Sequence, residues 1–196
     1  TLVLVSDHGM VAVDRTHDVR ATLEDAGVPA RVFQGGGVAN VHLKRPGDEA
    51  RAVAAITALD GVRAWPRAAF PKRLRYDHAR SGDVIALAEP GVAMLTAWRG
   101  LDLIHRAGSP FGRKVGMHGY DPEATSDVHG IFLAMGRGVT PGQAPPPVRT
   151  LDVAPTLARL LGIDPPAHSE GEPIPLAPSV ATTPVSSADP AEGPAP

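Results

Sequence analysis

The chain of 196 residues contains no cysteine, which excludes disulfide bonds and thiolate metal ligands. Any bound metal would therefore have to be held by histidine and carboxylate side chains. Aromatic residues are also scarce, at 4% of the chain, whereas glycine and proline contribute 21 residues each. With 43% apolar and 20% charged residues, the composition is nonetheless that of an ordinary globular domain.

Two further features are missing from the sequence. No apolar run approaches the roughly 20 residues that a transmembrane helix needs. The formal net charge is only −2, and no basic stripe of the kind that binds nucleic acid is present. We therefore expect neither a membrane span nor nucleic-acid binding from this sequence.

The chain opens with an apolar run that leads into polar residues, TLVLVSDHGM at positions 1–10. The run predicts a strand buried on both faces, as in a parallel sheet covered by helices. Ligands lie beyond the carboxyl ends of such strands, and Asp7 and His8 stand at that end. A carboxylate beside an imidazole suits Zn²⁺ or Mn²⁺, although the pair is also compatible with a simple polar cap of the strand.

The middle of the sequence predicts a small α+β subdomain at about residues 28–80, inserted into the main sheet. The triple glycine at 35–37 lacks the Lys-Ser/Thr and helix start of a phosphate-binding loop, so it predicts a hairpin turn. The predicted elements are a helix at 16–27, a hairpin of strands 31–33 and 38–43, a helix at 47–59, and strands at 61–65, 73–78 and 82–88.

Beyond these elements we expect a loop at 99–117, a buried strand at 128–134 and a final helix at 150–161. Asp152 lies near the start of this helix, where a negative charge complements the helix dipole. Residues 165–196 are rich in proline and alanine. We expect this tail to be disordered, because it has too few large apolar side chains to offset the entropy of ordering.

Several stretches resemble one known family. SDHGM at 6–10 resembles the metal-binding segment of the type I phosphodiesterase/nucleotide pyrophosphatase family, within the alkaline phosphatase superfamily. GMHGYDP at 116–122 is a second match, and VHGIFLAMG at 128–136 is similar to the family's closing core strand. LDVAPTLARLLG at 151–162 resembles the last helix of the superfamily. The resemblance implies an alkaline-phosphatase-like three-layer α/β sandwich, of which residues 1–164 would form the C-terminal part.

The resemblance also implies a site with two divalent metal ions, expected to be zinc. Asp7 and His8 would bind the zinc that activates the nucleophile, and His118 would bind the other. In this family the nucleophile is a threonine, or a serine in some relatives, and it forms a covalent phospho-enzyme intermediate. It precedes the segment matched by Asp7 and His8. We therefore expect the nucleophile and the remaining ligands upstream of residue 1, and we expect this chain alone to be inactive.

Three more residues are candidates for the surroundings of the site. His129 opens the predicted closing strand and either contacts the site or substrate or is a buried, hydrogen-bonded histidine. Tyr120 and Asp121 directly follow His118. Asp121 could accept the second ring N–H of a ligand histidine, or it could form a turn with Pro122.

The resemblance implies hydrolysis of phosphodiester or nucleotide pyrophosphate bonds in a small-molecule substrate. Phosphomonoesterases and phosphonate hydrolases of the superfamily use similar metal segments, and they remain alternatives. A non-catalytic metal- or ligand-binding module derived from the same fold is an alternative from a different class. A periplasmic or secreted location is implied by the resemblance only.

Overall fold

The computed structural model describes residues 1–96 and 115–176, which form a mixed α/β structure. These residues divide into two compact units, one of Ser6–Ile131 and one of Thr1–Val5 with the chain from Phe132 onward. The strands are β1 (Leu2–Val5), β2 (Val11–Val13), β3 (Arg15–His17), β4 (Ala30–Gly35), β5 (Val38–Leu43), β6 (Val62–Pro66), β7 (Val84–Ala88), β8 (Val92–Met94), β9 (Val115–Met117) and β10 (Phe132–Met135). The α-helices in this part of the chain are α1 (Val19–Asp25), α2 (Glu49–Thr57) and α3 (Val153–Leu161).

The unit Ser6–Ile131 is built around a four-stranded antiparallel sheet in the order β4-β5-β7-β6. Helices α1 and α2 pack on this sheet and on each other. Their fully buried residues Leu23 and Ile56 join Val41 and Val84 of the sheet in one apolar core. The sheet includes β7, so it extends beyond the range of about 28–80 that the sequence suggested for the insert.

Helix α1 shows how local sequence sets the ends of an element. Asp18 caps the helix by accepting hydrogen bonds from the backbone N–H groups of Arg20 and Ala21. Val19 and Leu23 are four residues apart and therefore share the buried face. Gly27 follows the helix with φ +66°, a conformation that favours glycine. The predicted helix is confirmed, with shorter bounds than 16–27.

Two predicted elements of this unit differ in the structure. Residues 73–78 are not a strand, because a 3₁₀ turn at Lys72–Leu74 is followed by Arg75 in the left-handed region, at φ 52°. The predicted loop at 99–117 ends in β9, which pairs antiparallel with β2. The earlier part of that predicted loop lies outside the described residues.

In the other unit, β1 pairs antiparallel with β10 in a two-stranded sheet. Leu2 is 60% exposed and Leu4 52% exposed, so the prediction of a strand buried in a parallel sheet is wrong for this structure. The predicted buried strand at 128–134 is shorter than expected and partly exposed as well. Side chains point to the faces of a sheet, and within the described residues the face that carries Leu2 and Leu4 is not covered by another layer.

The predicted final helix is confirmed as a 3₁₀ turn at Thr150–Asp152 followed by α3. The prediction of a disordered tail does not hold for its first part, because Ile174 and Leu176 are buried. The backbone N–H of Ile174 donates to the hydroxyl of Thr156 on α3, at 2.8 Å. The two buried apolar side chains and this hydrogen bond order a segment that was expected to have too few large apolar residues for ordering. The rest of the predicted tail, residues 177–196, lies outside the described residues.

Candidate metal centre

Asp7 and His8 form a compact pair after β1. The backbone N–H of His8 donates to Asp7 Oδ1 at 2.9 Å. The Nδ1 atom of His8 lies 2.9 Å from the carbonyl oxygen of Gly9. Since a carbonyl can only accept, Nδ1 carries the proton, and in the neutral ring the lone pair is on Nε2. That atom lies 3.3 Å from Asp7 Oδ2.

The separation of these two atoms fits ligands of one metal ion. In a tetrahedral zinc site with bonds of about 2.1 Å, two ligand atoms lie about 3.4 Å apart. The observed 3.3 Å between Asp7 Oδ2 and His8 Nε2 matches that spacing. The hydrogen bond from Nδ1 to a backbone carbonyl is also the usual way in which a ligand histidine is oriented. The pair therefore has the chemistry and the spacing to share a divalent cation.

His118 lies against His8, with ring centroids 3.9 Å apart and ring planes inclined by 17°. The pairing of β2 with β9 accounts for this contact, because Val11 is opposite Met117 in the register. His118 directly follows β9, and His8 shortly precedes β2. Two segments far apart in sequence are thus brought together by one antiparallel ladder.

The loop that carries Asp7 and His8 is also fixed from its other side. The backbone N–H of Gly9 donates to the carbonyl of Val128 at 2.9 Å. A Cβ atom at Gly9 would lie 2.1 Å from the carbonyl oxygen of Asp127, so only glycine fits here. The backbone N–H of Ser6 donates to the carbonyl of Ile131 at 3.1 Å, and the Ser6 hydroxyl oxygen accepts the backbone N–H of Ile131 at 2.9 Å. The backbone of residues 126–131 therefore holds the loop that carries Asp7 and His8 in place.

The surroundings of Asp7 favour its ionised form. The hydrogen bond from the His8 backbone N–H is the main cause that lowers the pKa of the Asp7 carboxyl, and a positive charge on the His8 ring, when that ring is protonated, lowers it further. A smaller contribution in the same direction comes from His118. An ionised carboxylate is the form that binds a metal ion.

Tyr120 and Asp121 have different surroundings from each other. Tyr120 is buried, its hydroxyl has no hydrogen-bond partner among the described residues, and burial raises its pKa. The Asp121 carboxylate binds the guanidinium group of Arg73 through both oxygens, one of them at 2.8 Å. It also accepts the backbone N–H of Glu123 at 3.0 Å, as in a turn. In the described part of the chain, Asp121 thus contacts an arginine and the backbone of its own turn.

Arg73 is a residue that the sequence reasoning did not single out. It lies 48 positions before Asp121, in the segment predicted as a strand, and local patterns do not indicate pairs over such a separation. Its guanidinium group lowers the pKa of the Asp121 carboxyl. The second partner of Arg73 is Glu123, at 3.3 Å.

His129 is exposed, and its Nε2 atom lies 2.9 Å from the carbonyl oxygen of Pro122. This bond links the two ends of the 122–129 turn region. A contact of His129 with substrate or metal stays a prediction.

Within residues 1–96 and 115–176, no group of three or more histidine or acidic side chains is arranged to hold a metal ion. In the same residues, no helix combines the length and apolar character needed to cross a bilayer.

Solved structures with a similar fold come from ectonucleotide pyrophosphatase/phosphodiesterase 5. The human protein gives a TM-score of 0.68 at 26% identity, covering 87% of this chain and 42% of that chain. The murine protein gives a TM-score of 0.66 at 23% identity, covering 85% and 42%. The murine protein was also solved as an inactive threonine-to-alanine variant in complex with AMP, with the same values. The chain therefore spans less than half the length of these solved chains.

These structural relatives confirm the mixed α/β fold that the sequence resemblance implied. Among curated proteins, none matches the chain significantly. The sequence profile described as "Type I phosphodiesterase / nucleotide pyrophosphatase" matches residues 1–121. Because the match covers more than half of the 196 residues, the chain belongs to the type I phosphodiesterase/nucleotide pyrophosphatase family.

Proposed function

We propose that this chain contributes metal ligands to a hydrolase that cleaves phosphodiester or nucleotide pyrophosphate bonds. The observation that carries the proposal is the contact of His8 with His118, at 3.9 Å between ring centroids, beside the Asp7 carboxylate. All three residues lie within the part of the chain that matches the family. A histidine pair and one carboxylate are too few for two metals, so the proposal requires further ligands elsewhere in the full-length protein.

The proposed roles of the three residues follow their chemistry. Asp7 and His8 would hold one zinc ion, through Oδ2 and Nε2, and His118 would hold a second. Such ions, when bound, stabilise charge on the attacking and leaving oxygens of a phosphoryl group. The contribution of the chain is to keep the Asp7 carboxyl ionised and to fix the His8 ring through Gly9.

The nucleophile in this proposal is a threonine outside residues 1–196. Its hydroxyl oxygen attacks phosphorus, the bond from phosphorus to the leaving-group oxygen breaks, and water later hydrolyses the phospho-threonine to restore the hydroxyl. The inactive threonine-to-alanine variant of the murine relative supports this assignment. No threonine of this chain matches the family's nucleophile segment, so we expect the chain by itself to lack turnover.

A nucleotide or related small phosphoester is the proposed substrate. The solved complex of the murine relative with AMP supports this class, since AMP is one product expected from cleavage of a nucleotide phosphodiester. The prefix "ectonucleotide" in the names of both relatives supports an exported location for this protein as well. Phosphomonoester and phosphonate substrates are the alternatives within the superfamily. A panel of p-nitrophenyl esters of each type would rank them.

The central test is His118→Ala in the full-length protein. We expect zinc content to fall by about one equivalent and turnover of bis-p-nitrophenyl phosphate to fall by orders of magnitude, because one metal loses a ligand. Metal analysis and steady-state kinetics measure the two effects. His168→Ala is the control, since His168 is exposed and lies outside residues 1–121, which match the family. Unchanged zinc content and turnover in His118→Ala would remove this residue from the site.

A binding module without catalysis is the second candidate. The observation that favours it is that the described residues provide no group of three metal ligands. In that case the full-length protein would bind zinc or a phosphoester without releasing p-nitrophenol from any of the esters. Turnover that depends on His118 would reject this candidate.

A further inference from the structure

Gly36 and Gly37 form the turn between β4 and β5, and this turn contacts the backbone that carries His118. The N–H of Gly37 donates to the carbonyl oxygen of His118 at 2.8 Å. This turn closes an ordinary hairpin, in which Gly35 pairs with Val38. Two-residue turns of this kind favour glycine, so any further demand that His118 makes has to be read from the space around each glycine.

The approach of the two backbones is so close that side chains would not fit. A Cβ atom at Gly36 would lie 2.3 Å from the carbonyl oxygen of His118, and Gly36 has φ +63°. A Cβ atom at Gly37 would lie 2.8 Å from the backbone of Gly119 and 2.7 Å from the Tyr120 ring. At Gly35, by contrast, nothing lies within 4 Å of the added atom. Two of the three glycines are therefore required by the His118 segment.

The turn is itself held by buried strands. The carbonyl of Gly36 accepts the backbone N–H of Met94 at 2.7 Å, and that of Gly37 accepts the backbone N–H of Ala88 at 2.9 Å. Met94 is completely buried and Ala88 nearly so. Because these partners belong to the core, the turn has little freedom to move away from an added side chain.

We propose that Gly36 and Gly37 are positioning residues that set the place of His118 at the candidate metal centre. This inference rests on the proposed function, since it assumes that His118 binds zinc. Metal–ligand distances tolerate changes of only about 0.2 Å. Relieving the contact of a Cβ at Gly36 would take several tenths of an ångström, because Cβ contacts under 3.0 Å are essentially never seen. A side chain on this turn would thus displace His118 beyond what the metal allows.

The test compares Gly37→Ala with Gly35→Ala in the full-length protein. Gly37→Ala is the cleaner probe, because Gly36→Ala would add backbone strain from its positive φ. We expect the zinc ion that depends on His118 to bind about tenfold or more weakly in Gly37→Ala, measured by competition with a chromogenic chelator. The other zinc ion should bind as in the unchanged protein. Gly35→Ala should retain both affinities.

A second measurement covers the case in which Gly37→Ala does not fold. In the unchanged protein, the amide resonance of Gly37 should shift when zinc is added, and this shift should be absent in His118→Ala. Unaltered zinc affinity in folded Gly37→Ala, or an amide resonance that zinc does not move, would overturn the inference. If His118→Ala itself leaves zinc binding unchanged, the proposed function fails first, so the two failures are distinguishable.

Discussion

At the scale of single residues, the site region depends on pairs that hold chain segments in place. Arg73 binds both oxygens of Asp121, three positions after His118. The Asp121 side chain is only 20% exposed, so its charge needs a partner. A bidentate pair with arginine supplies that partner and fixes the orientation of the turn.

We predict that Arg73→Ala lowers the free energy of unfolding by a small but measurable amount, as expected for a partly exposed bidentate ion pair. Arg73→Lys should recover only part of the loss, since an ammonium group cannot form the two parallel bonds. Urea denaturation measures both variants. Lys72→Ala, at the exposed neighbouring position, is the control. Equal stability of Arg73→Ala and Lys72→Ala would show that the pair contributes nothing.

At the scale of elements, helix α3 begins at a network around one carboxylate. Asp152 accepts hydrogen bonds from the Arg149 guanidinium, at 2.7 and 3.1 Å, and from the backbone N–H of Glu172, at 3.0 Å. These bonds, led by that of Arg149, lower the pKa of Asp152 from 3.8 to about 2. The Asp152 carboxylate thus connects the start of α3 to the backbone at Glu172.

This network predicts a specific pH dependence of stability. Because the folded state lowers the pKa of Asp152 below 3.8, its stabilising effect is complete above that value and is lost as the pH falls through about 2. Asp152→Asn should therefore cost about 2 kcal/mol at neutral pH and almost nothing near pH 2. Guanidinium denaturation across this range measures the difference. Asp164→Asn, at an exposed position after α3, is the control. A cost independent of pH would contradict the assigned role of the charge.

At the scale of the whole chain, the sheet of β1 and β10 presents apolar side chains to solvent. Leu4 lies opposite Leu133, and Leu2 lies opposite Met135. Each of these four side chains is at least half exposed, between 52% and 60%. Alternate residues share one face of a strand, so the four form a continuous patch. Patches of this kind are typical of surfaces that other groups cover.

We predict that the 196-residue chain produced by itself binds the dye anilinonaphthalene sulfonate and self-associates, because the patch is uncovered. Leu4→Ser combined with Leu133→Ser should reduce both effects. Dye fluorescence and sedimentation velocity measure them. A matched pair of substitutions at exposed polar positions, Glu24→Ser and Asp25→Ser on α1, is the control. Dye binding that is equal in the two double variants would show that the patch is not the surface responsible.

The sequence by itself determined the family, the order of the candidate ligand segments and the elements with strong local signals. Helix α1, the hairpin of β4 and β5, and α3 follow from periodicity, capping and turn residues, which act over a few positions. The candidate ligands Asp7, His8 and His118 were identified from their motifs, whereas their role in binding metal stays a proposal.

Only the tertiary structure decided how these segments meet. The contact of His8 with His118 depends on the register of β2 with β9, and the pairing of Arg73 with Asp121 joins residues 48 positions apart. The sequence also did not predict that the glycine turn packs closely against His118. Nor did it predict that β1 pairs antiparallel with β10 and is exposed. The physical reason is that strand register and close backbone approach arise from long-range packing, which local patterns of apolar and polar residues do not specify.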